Sequence, residues 1–570
     1  MDVSPRGLIH NWVPHLPLLL KTIIYAPFGW SPNAEYQDWL TEIIVQSARP
    51  ILRTPASLLK SQNFFLIDTG IWGHMWVSKY TIPLSVHSHD HDLVGDKFDP
   101  NDILTIQQAI TFSIDSLAIY DDEKSCPIPP LAPAGIQVEW TGHRRQARPW
   151  SRSPSGLSDQ GIYQQMLLDL PNGSDSPVIL FAHGGAFCLM DPANHRHTAA
   201  RLANATDSRV LNVRYRLSPQ SIFPAALMDI FVAYLSLLSP PPGSFHQAVP
   251  GSRIVLAGDS SGGNLVTALQ VLLSTLVLNG RTHVRNPWST NESDSIISIP
   301  NPPTAALSLA SPWLDITRSL PSCDLNSKYD FIAPPEPLQP TLMSTSPMFP
   351  PDEIWPAKPV RTETYCEAVM CTHPLVTPLT TPKQVLAWFP AVYACAGWEG
   401  MTDETEVFMR RLAEAQMTTD KSRVGGRTGS IDTLVENSVL ESKEHVFDGF
   451  LGMPHMFAAF QYNSAGKKAS RNRINHIKRA LAEAQPGKDQ QKSTVDGTTC
   501  YASWTNVKTM KETSIPMKDL GMTSEFSGYV RKDPLTDDFL FTKVGEGRVF
   551  RVELERRLRE NEILEDKKRE

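Results

Sequence analysis

At 570 residues, with 41% hydrophobic and 20% charged residues, the chain has ample material for a buried core, which excludes global disorder. A net charge of −7 excludes the basic face that phosphate-backbone binding requires, so no nucleic-acid partner is expected. Seven scattered cysteines, odd in number and without paired spacing, exclude a disulfide framework and a cysteine zinc site, and they fit a reducing, cytoplasmic compartment.

The segment from Trp12 to Trp30 is apolar but is interrupted by His15, Lys21, Pro14, Pro17 and Pro27, with no charged lead and no small-residue cleavage site. It reads as neither signal peptide nor membrane span, and is left as a candidate for peripheral membrane contact or a substrate entrance. Trp39, Leu40, Ile43 and Ile44 share one helical face, and residues 1–130 are predicted as an N-terminal helical cap. The run His87-Ser88-His89-Asp90-His91-Asp92 has the wrong ligand order for a metallo-hydrolase site and is read as a solvated loop, so neither a metal nor a cofactor is expected.

From residue 136 the pattern changes to apolar runs alternating with helices. Strands are predicted at 136–140, 178–182, 210–213, 254–257, 305–309, 392–396 and 445–447, giving an α/β fold with a mostly parallel central sheet flanked by helices. Leu265, Leu269, Leu272, Leu273 and Leu276 form one helical stripe, with Gly280 placed as the residue past the helix end, and a second helix is predicted from Asp403 to Gln416. The catalytic domain is drawn at 131–485, with irregular inserts at about 316–380 and 417–440, followed by a polar tail over 486–570. The tail is expected to be poorly ordered or to hold a peripheral helix.

The chemistry centres on Gly258-Asp259-Ser260-Ser261-Gly262-Gly263-Asn264, which follows the apolar run 253–257 and opens the long helix. A Gly-x-Ser-x-Gly turn between strand and helix forces its serine into a strained, exposed position, a nucleophile elbow. Serine needs a base to take its proton and a carboxylate to orient that base, expected downstream in the order Ser, acid, His. His455, in Gly452-Met453-Pro454-His455, follows the last strand and is the candidate base; His445, inside the strand, reads as a satisfied core histidine. After the strand at 392–396 three carboxylates stand close together, Glu399, Asp403 and Glu404. Glu399 lies nearest the strand end, whereas the other two sit where acids cap helices, so Glu399 is the candidate acid. His183-Gly184-Gly185-Ala186-Phe187 follows another strand and supplies a glycine-rich loop for an oxyanion hole, to which the Ser261 amide adds a donor. His195, after that loop, falls at a helix start and is a candidate pocket residue.

Four motifs in order, His183-Gly184-Gly185, Tyr215-Arg216-Leu217-Ser218-Pro219 with Phe223-Pro224-Ala225-Ala226, the serine turn, and Gly452-Met453-Pro454-His455, resemble the hormone-sensitive-lipase-like branch of the α/β-hydrolases. The resemblance implies an esterase with an N-terminal helical cap, and it places the acid four residues before an Asp-Glu pair, at Glu399. It puts the oxyanion hole at the amides of Gly185, Ala186 and Ser261, with Gly184 shaping the loop. The chain departs from that pattern in having Glu where Asp is usual, and Ala186 where a third glycine is usual. The cap, insert and tail resemble extended fungal members of the branch, some of which act on steryl esters or in secondary metabolism.

The reading is a serine carboxyl-ester hydrolase acting on a small hydrophobic ester, with Ser260, Glu399 and His455 as its triad. Its rivals are an acyltransferase or tailoring hydrolase on the same scaffold and a non-catalytic binding protein. Composition leaves the acyl group, the alcohol and the oligomeric state open.

Overall fold

The computed structural model describes residues 13–53, 56–84, 103–289, 296–335, 350–356, 358–422, 443–484, 500–522 and 533–569. Helices α1 (Leu16–Tyr25), α2 (Trp39–Leu52) and α3 (Leu58–Phe65) lead into strand β1 (Met75–Ile82) and helix α4 (Ile106–Leu117). Then come β2 (Ile136–His143), α5 (Asp159–Leu168), β3 (Val178–Ala182), α6 (Pro192–Thr206), β4 (Arg209–Val213), α7 (Ala225–Leu238), β5 (Ile254–Asp259) and α8 (Ser260–Leu278). A ribbon of β6 (His283–Arg285) and β7 (Ile296–Ser298) precedes β8 (Ala306–Ala310), β9 (Ala391–Ala396) and α9 (Thr402–Ser422). The chain continues through β10 (His445–Leu451), α10 (Ser464–Glu483), β11 (Cys500–Asn506), β12 (Glu512–Ile515) and α11 (Asp537–Arg569).

β3 reads Val-Ile-Leu-Phe-Ala, and all five residues are buried, the signature of a strand covered on both faces. Because successive side chains alternate, Val178, Leu180 and Ala182 enter one core and Ile179 and Phe181 the other. Leu227 and Ile230 of α7 and Leu265, Leu269 and Leu272 of α8 fill the first core, while Leu202 of α6 and Ile477 of α10 fill the second.

Ten strands form one sheet in the order β1-β2-β4-β3-β5-β8-β9-β10-β11-β12, parallel from β4 to β11. Asp259 is level with Ala310, Ala310 with Cys395, and Cys395 with Asp448, so the loops after β5, β8, β9 and β10 leave from one edge. That carboxyl edge is where open parallel sheets build their sites. α8 ends as its sequence predicts: Gly280 has φ +68°, its N–H reaches Val277 O at 3.1 Å, and Arg281 N–H reaches Leu276 O at 2.8 Å.

Three boundaries differ from the expectations. The region 1–130 is not all cap, because β1 pairs antiparallel with β2 from Met75↔His143 to Ile82↔Ile136, and Ile110 and Ile114 of α4 are in the main core. Only α1 to α3 precede the sheet; β1 escaped notice because Ser78, Lys79 and Thr81 interrupt its apolar positions, as an edge strand permits. The region 486–570, expected as a tail, supplies β11, parallel to β10 from His445↔Cys500 to Leu451↔Asn506, and the antiparallel β12. It also supplies α11, whose Arg548 pairs with Asp122 at 2.5 Å and whose Glu555 accepts the N–H groups of Thr362 (3.0 Å) and Ala368 (3.3 Å). Its composition looked like a tail because polar contacts hold most of the helix, with Leu540 and Val544 as its buried apolar anchors. Finally, α9 runs on to Ser422, six residues past the expected helix end at Gln416 and into the expected insert, and 423–440 lies outside the described residues, as does the His87–Asp92 run.

Candidate active site

Strand β5 ends at Asp259 and α8 begins at Ser260 with φ +51°, a left-handed conformation that costs an L-residue roughly 1–2 kcal/mol. Neighbouring glycines make the turn sterically feasible. A methyl group at Gly262 would lie 2.2 Å from Ala182 O and 2.4 Å from His183 O, so this position lets the turn sit directly against the end of β3. Ser260 is 9% exposed.

Glu399 lies three residues beyond β9, fully buried, with both carboxylate oxygens engaged. Oε1 accepts the Ser311 hydroxyl at 2.6 Å and the Gly397 N–H at 3.0 Å, and Oε2 pairs with Nδ1 of His455, four residues beyond β10. Burial pulls the His455 pKa down, but the Glu399 carboxylate, helped by Asp330 and Asp259, more than offsets this and holds it above the ordinary imidazole value. The other two acids are occupied elsewhere: Asp403 accepts the Ser322 N–H at 2.8 Å and Glu404 the Leu314 N–H at 2.6 Å.

The segment after β8 links Ser260 to this pair. The Ser311 hydroxyl that donates to Glu399 also accepts the Met456 N–H at 3.2 Å, while the Trp313 N–H donates to the Ser260 carbonyl at 3.0 Å. No hydrogen bond joins Ser260 Oγ to His455 among the described residues, and free enzymes commonly tighten that contact only with substrate bound.

The loop after β3 carries three consecutive positive φ values, +115° at Gly185, +53° at Ala186 and +61° at Phe187. Its first amide is committed, since Gly184 N–H donates to Asp259 Oδ2 at 3.1 Å. A methyl group at Gly184 would meet that oxygen at 2.5 Å and Ser260 Cβ at 3.1 Å, so Gly184 brings the loop against the nucleophile turn rather than offering a donor. The Phe187 N–H is also taken, by Ser261 Oγ at 3.1 Å. The N–H groups of Gly185 and Ala186 have no acceptor among the described residues, and Ser261 sits in the first helical turn, where no intrahelical carbonyl is available.

Residues 179–428 match the family described as alpha/beta hydrolase fold. The chain has the α/β-hydrolase fold. An acetyl-hydrolase of Streptomyces hygroscopicus is 42% identical over 103 residues, covering 18% of this chain and 32% of that one. An esterase of Acinetobacter venetianus is 31% identical over 166 residues, covering 29% of this chain and 45% of the relative. The carboxylic ester hydrolase LipN of Mycobacterium tuberculosis is 27% identical over 182 residues, covering 30% and 44%. The α/β-hydrolase chain thus spans about a third to a half of the length of these curated relatives.

Sequence reasoning about this α/β-hydrolase missed two residues that hold the site. Ser311 has φ +46° and bridges the acid and histidine loops as described. Asp330, fully buried in the first insert, accepts the His455 N–H at 3.1 Å on Oδ1 and the Gly400 N–H at 3.3 Å on Oδ2. Neither lies in a motif, so no local signal could have found them. His195, His183 and His445 make other contacts. His195 Nε2 faces Asp259 Oδ2, next to Ser260, at 3.4 Å, and His183 stacks on Tyr215 with ring centroids 4.4 Å apart. His445 is buried within β10, and neither ring nitrogen has a hydrogen-bond partner among the described residues; burial lowers its pKa to about 3 and keeps it neutral. Among the described residues no group of three or more His, Cys, Asp or Glu is arranged to hold a metal ion.

Asp330 has a measurable signature. Its carboxylate is one of the charges that raise the His455 pKa, so Asp330→Asn removes that support and lets the imidazole stay neutral to lower pH. The acid limb of the kcat/KM profile is expected to move to lower pH, with kcat on the plateau falling less than about tenfold. An unmoved limb in a variant of normal thermal stability would show that Asp330 only tethers the backbone.

Proposed function

We propose that this α/β-hydrolase is a serine carboxyl-ester hydrolase acting on hydrophobic esters through an acyl-enzyme. The observation that carries the reading is the pairing of His455 Nδ1 with the buried Glu399, held by Ser311 to the same segment that bonds the Ser260 carbonyl. In this scheme Ser260 Oγ attacks the ester carbonyl carbon as its proton passes to His455 Nε2, and Glu399 steadies the resulting imidazolium. The oxyanion lies against the amides of Gly185, Ala186 and Ser261, each worth about 3 kcal/mol in the transition state. Collapse expels the alcohol with the proton from His455; water then repeats the attack and releases the acid.

The preference for an apolar ester is supported by the side chains around the loop. Phe187 stacks on Tyr365 with centroids 3.7 Å apart and tilts against Trp313 at 5.5 Å, while Phe331 stands edge-on to His455 at 6.3 Å. Partial matches to an acetyl-hydrolase and to esterases add support for ester chemistry. A panel of p-nitrophenyl esters tests the reading: turnover is expected with neutral acyl groups and at least tenfold lower kcat/KM with a succinyl ester of similar size. Absence of turnover across the panel, with a folded protein, would overturn it.

A further inference from the structure

The most unusual surface of the molecule is α1 and the turn that follows it. Leu19, Thr22 and Ala26 face inward onto the rest of the cap. Leu16, Leu20, Ile23 and Ile24, at the i, i+4, i+7, i+8 spacing of one helical stripe, face solvent instead. The stripe continues past the helix into Phe28, 66% exposed, and Trp30, 71% exposed, whose rings stack at 5.2 Å. Globular proteins rarely leave so continuous an apolar surface uncovered, and one of this kind marks an interaction site.

We infer that this face docks on a lipid bilayer carrying anionic headgroups, with α1 lying along the interface. Three observations select a bilayer as the occupant. At ten residues α1 extends only about 15 Å, half of what a spanning helix needs, so it can lie in the surface but not cross. Tyr25, Phe28 and Trp30 gather at one end of the stripe, and amphipathic rings of this kind favour the headgroup level. Charge is complementary: Lys21 is the one Asp, Glu, Lys or Arg residue from Val13 to Ala34, in a chain of net charge −7.

The position of the face gives it meaning for the site. The segment that follows α1 is bolted to the catalytic loops: Asn33 Nδ2 donates to Lys328 O at 2.8 Å, Gln37 Nε2 to Tyr329 O at 2.8 Å, and Arg49 Nε to Asp330 O at 3.0 Å. Tyr36 packs on Trp398, beside Glu399, with centroids 4.6 Å apart. Docking would therefore set the loops that hold His455 and Glu399 at a fixed orientation to the bilayer, and an apolar ester could reach them from lipid. That last step rests on the esterase reading; the docking does not.

Co-sedimentation of the full chain with phosphatidylcholine vesicles, with and without phosphatidylserine, tests the inference. The wild-type chain is expected to sediment, more strongly with phosphatidylserine present. The combined variant Leu16→Ser, Leu20→Ser, Ile23→Ser, Ile24→Ser is expected to lose at least tenfold in partitioning while keeping its thermal midpoint and its turnover of a water-soluble ester. Lys21→Glu is expected to weaken binding to the anionic vesicles alone. A wild-type chain that stays in the supernatant, or a serine variant that sediments as well as wild type, overturns the proposal. So does a wild-type dimer that the serine variant lacks, since the face would then be covered by a second copy. Vesicle binding without ester turnover would uphold docking and remove the esterase reading.

Discussion

Ser260→Ala is expected to lower kcat on a p-nitrophenyl ester by roughly 10⁵ to 10⁶, leaving only the modest rate that binding and the oxyanion amides supply. The neighbouring hydroxyl cannot take over. Ser261 is fully buried and its Oγ accepts the Phe187 N–H at 3.1 Å, so it faces the loop scaffold. Ser261→Ala is therefore expected to retain most of its activity, separating the two adjacent serines. A fluorophosphonate probe provides the independent readout: it should label wild type and Ser261→Ala at one site, and leave Ser260→Ala unlabelled. Labelling of Ser260→Ala, or turnover within tenfold of wild type, would move the nucleophile elsewhere.

Glu399→Gln is expected to cost about 10⁴ in kcat with little change in KM. The amide is nearly isosteric, but an NH₂ facing Nδ1 of His455 favours the tautomer whose proton sits on Nε2, the atom that must receive the Ser260 proton. The orientation is fixed by the other oxygen: Oε1 accepts the Ser311 hydroxyl and the Gly397 N–H, so the amide keeps its oxygen there and its NH₂ on the His455 side. The controls are close in sequence: Glu404→Gln and Asp403→Asn disturb hydrogen bonds to Leu314 and Ser322, and are expected to act on thermal stability far more than on kcat. Should Glu404→Gln carry the 10⁴ loss instead, the acid would be reassigned.

The parts of this fold that were legible in the chain are those where a short run of residues dictates its own environment. β3, β5 and β9 are buried on both faces, so they appear as unbroken apolar stretches with predictable ends. The turn at Ser260 is local too, since small residues on either side are needed wherever strand and helix meet at so sharp an angle. What was not legible depends on partners far away. Ser311 meets Glu399 across 88 positions and Asp330 meets His455 across 125, and nothing near either residue signals the encounter. β1, which pairs with one neighbour, and β11, flanked outward only by the short β12, show the same blindness at the sheet margins, where polar residues are tolerated, and α11 shows it for a helix with charged anchors such as Arg548.

The placement of β11 has a consequence for the order in which the molecule can be made. β10 carries the loop that ends in His455, and its outer edge is covered only when residues 500–506 arrive alongside it. The contact between Asp122 and Arg548 spans 426 positions. During synthesis the chain can assemble β3, β5 and the turn at Ser260 first, but a bare strand edge remains beside the histidine loop until residues 500–506 have left the ribosome. The turn at Ser260 can therefore form before residues 500–506 secure the strand that carries its proposed base.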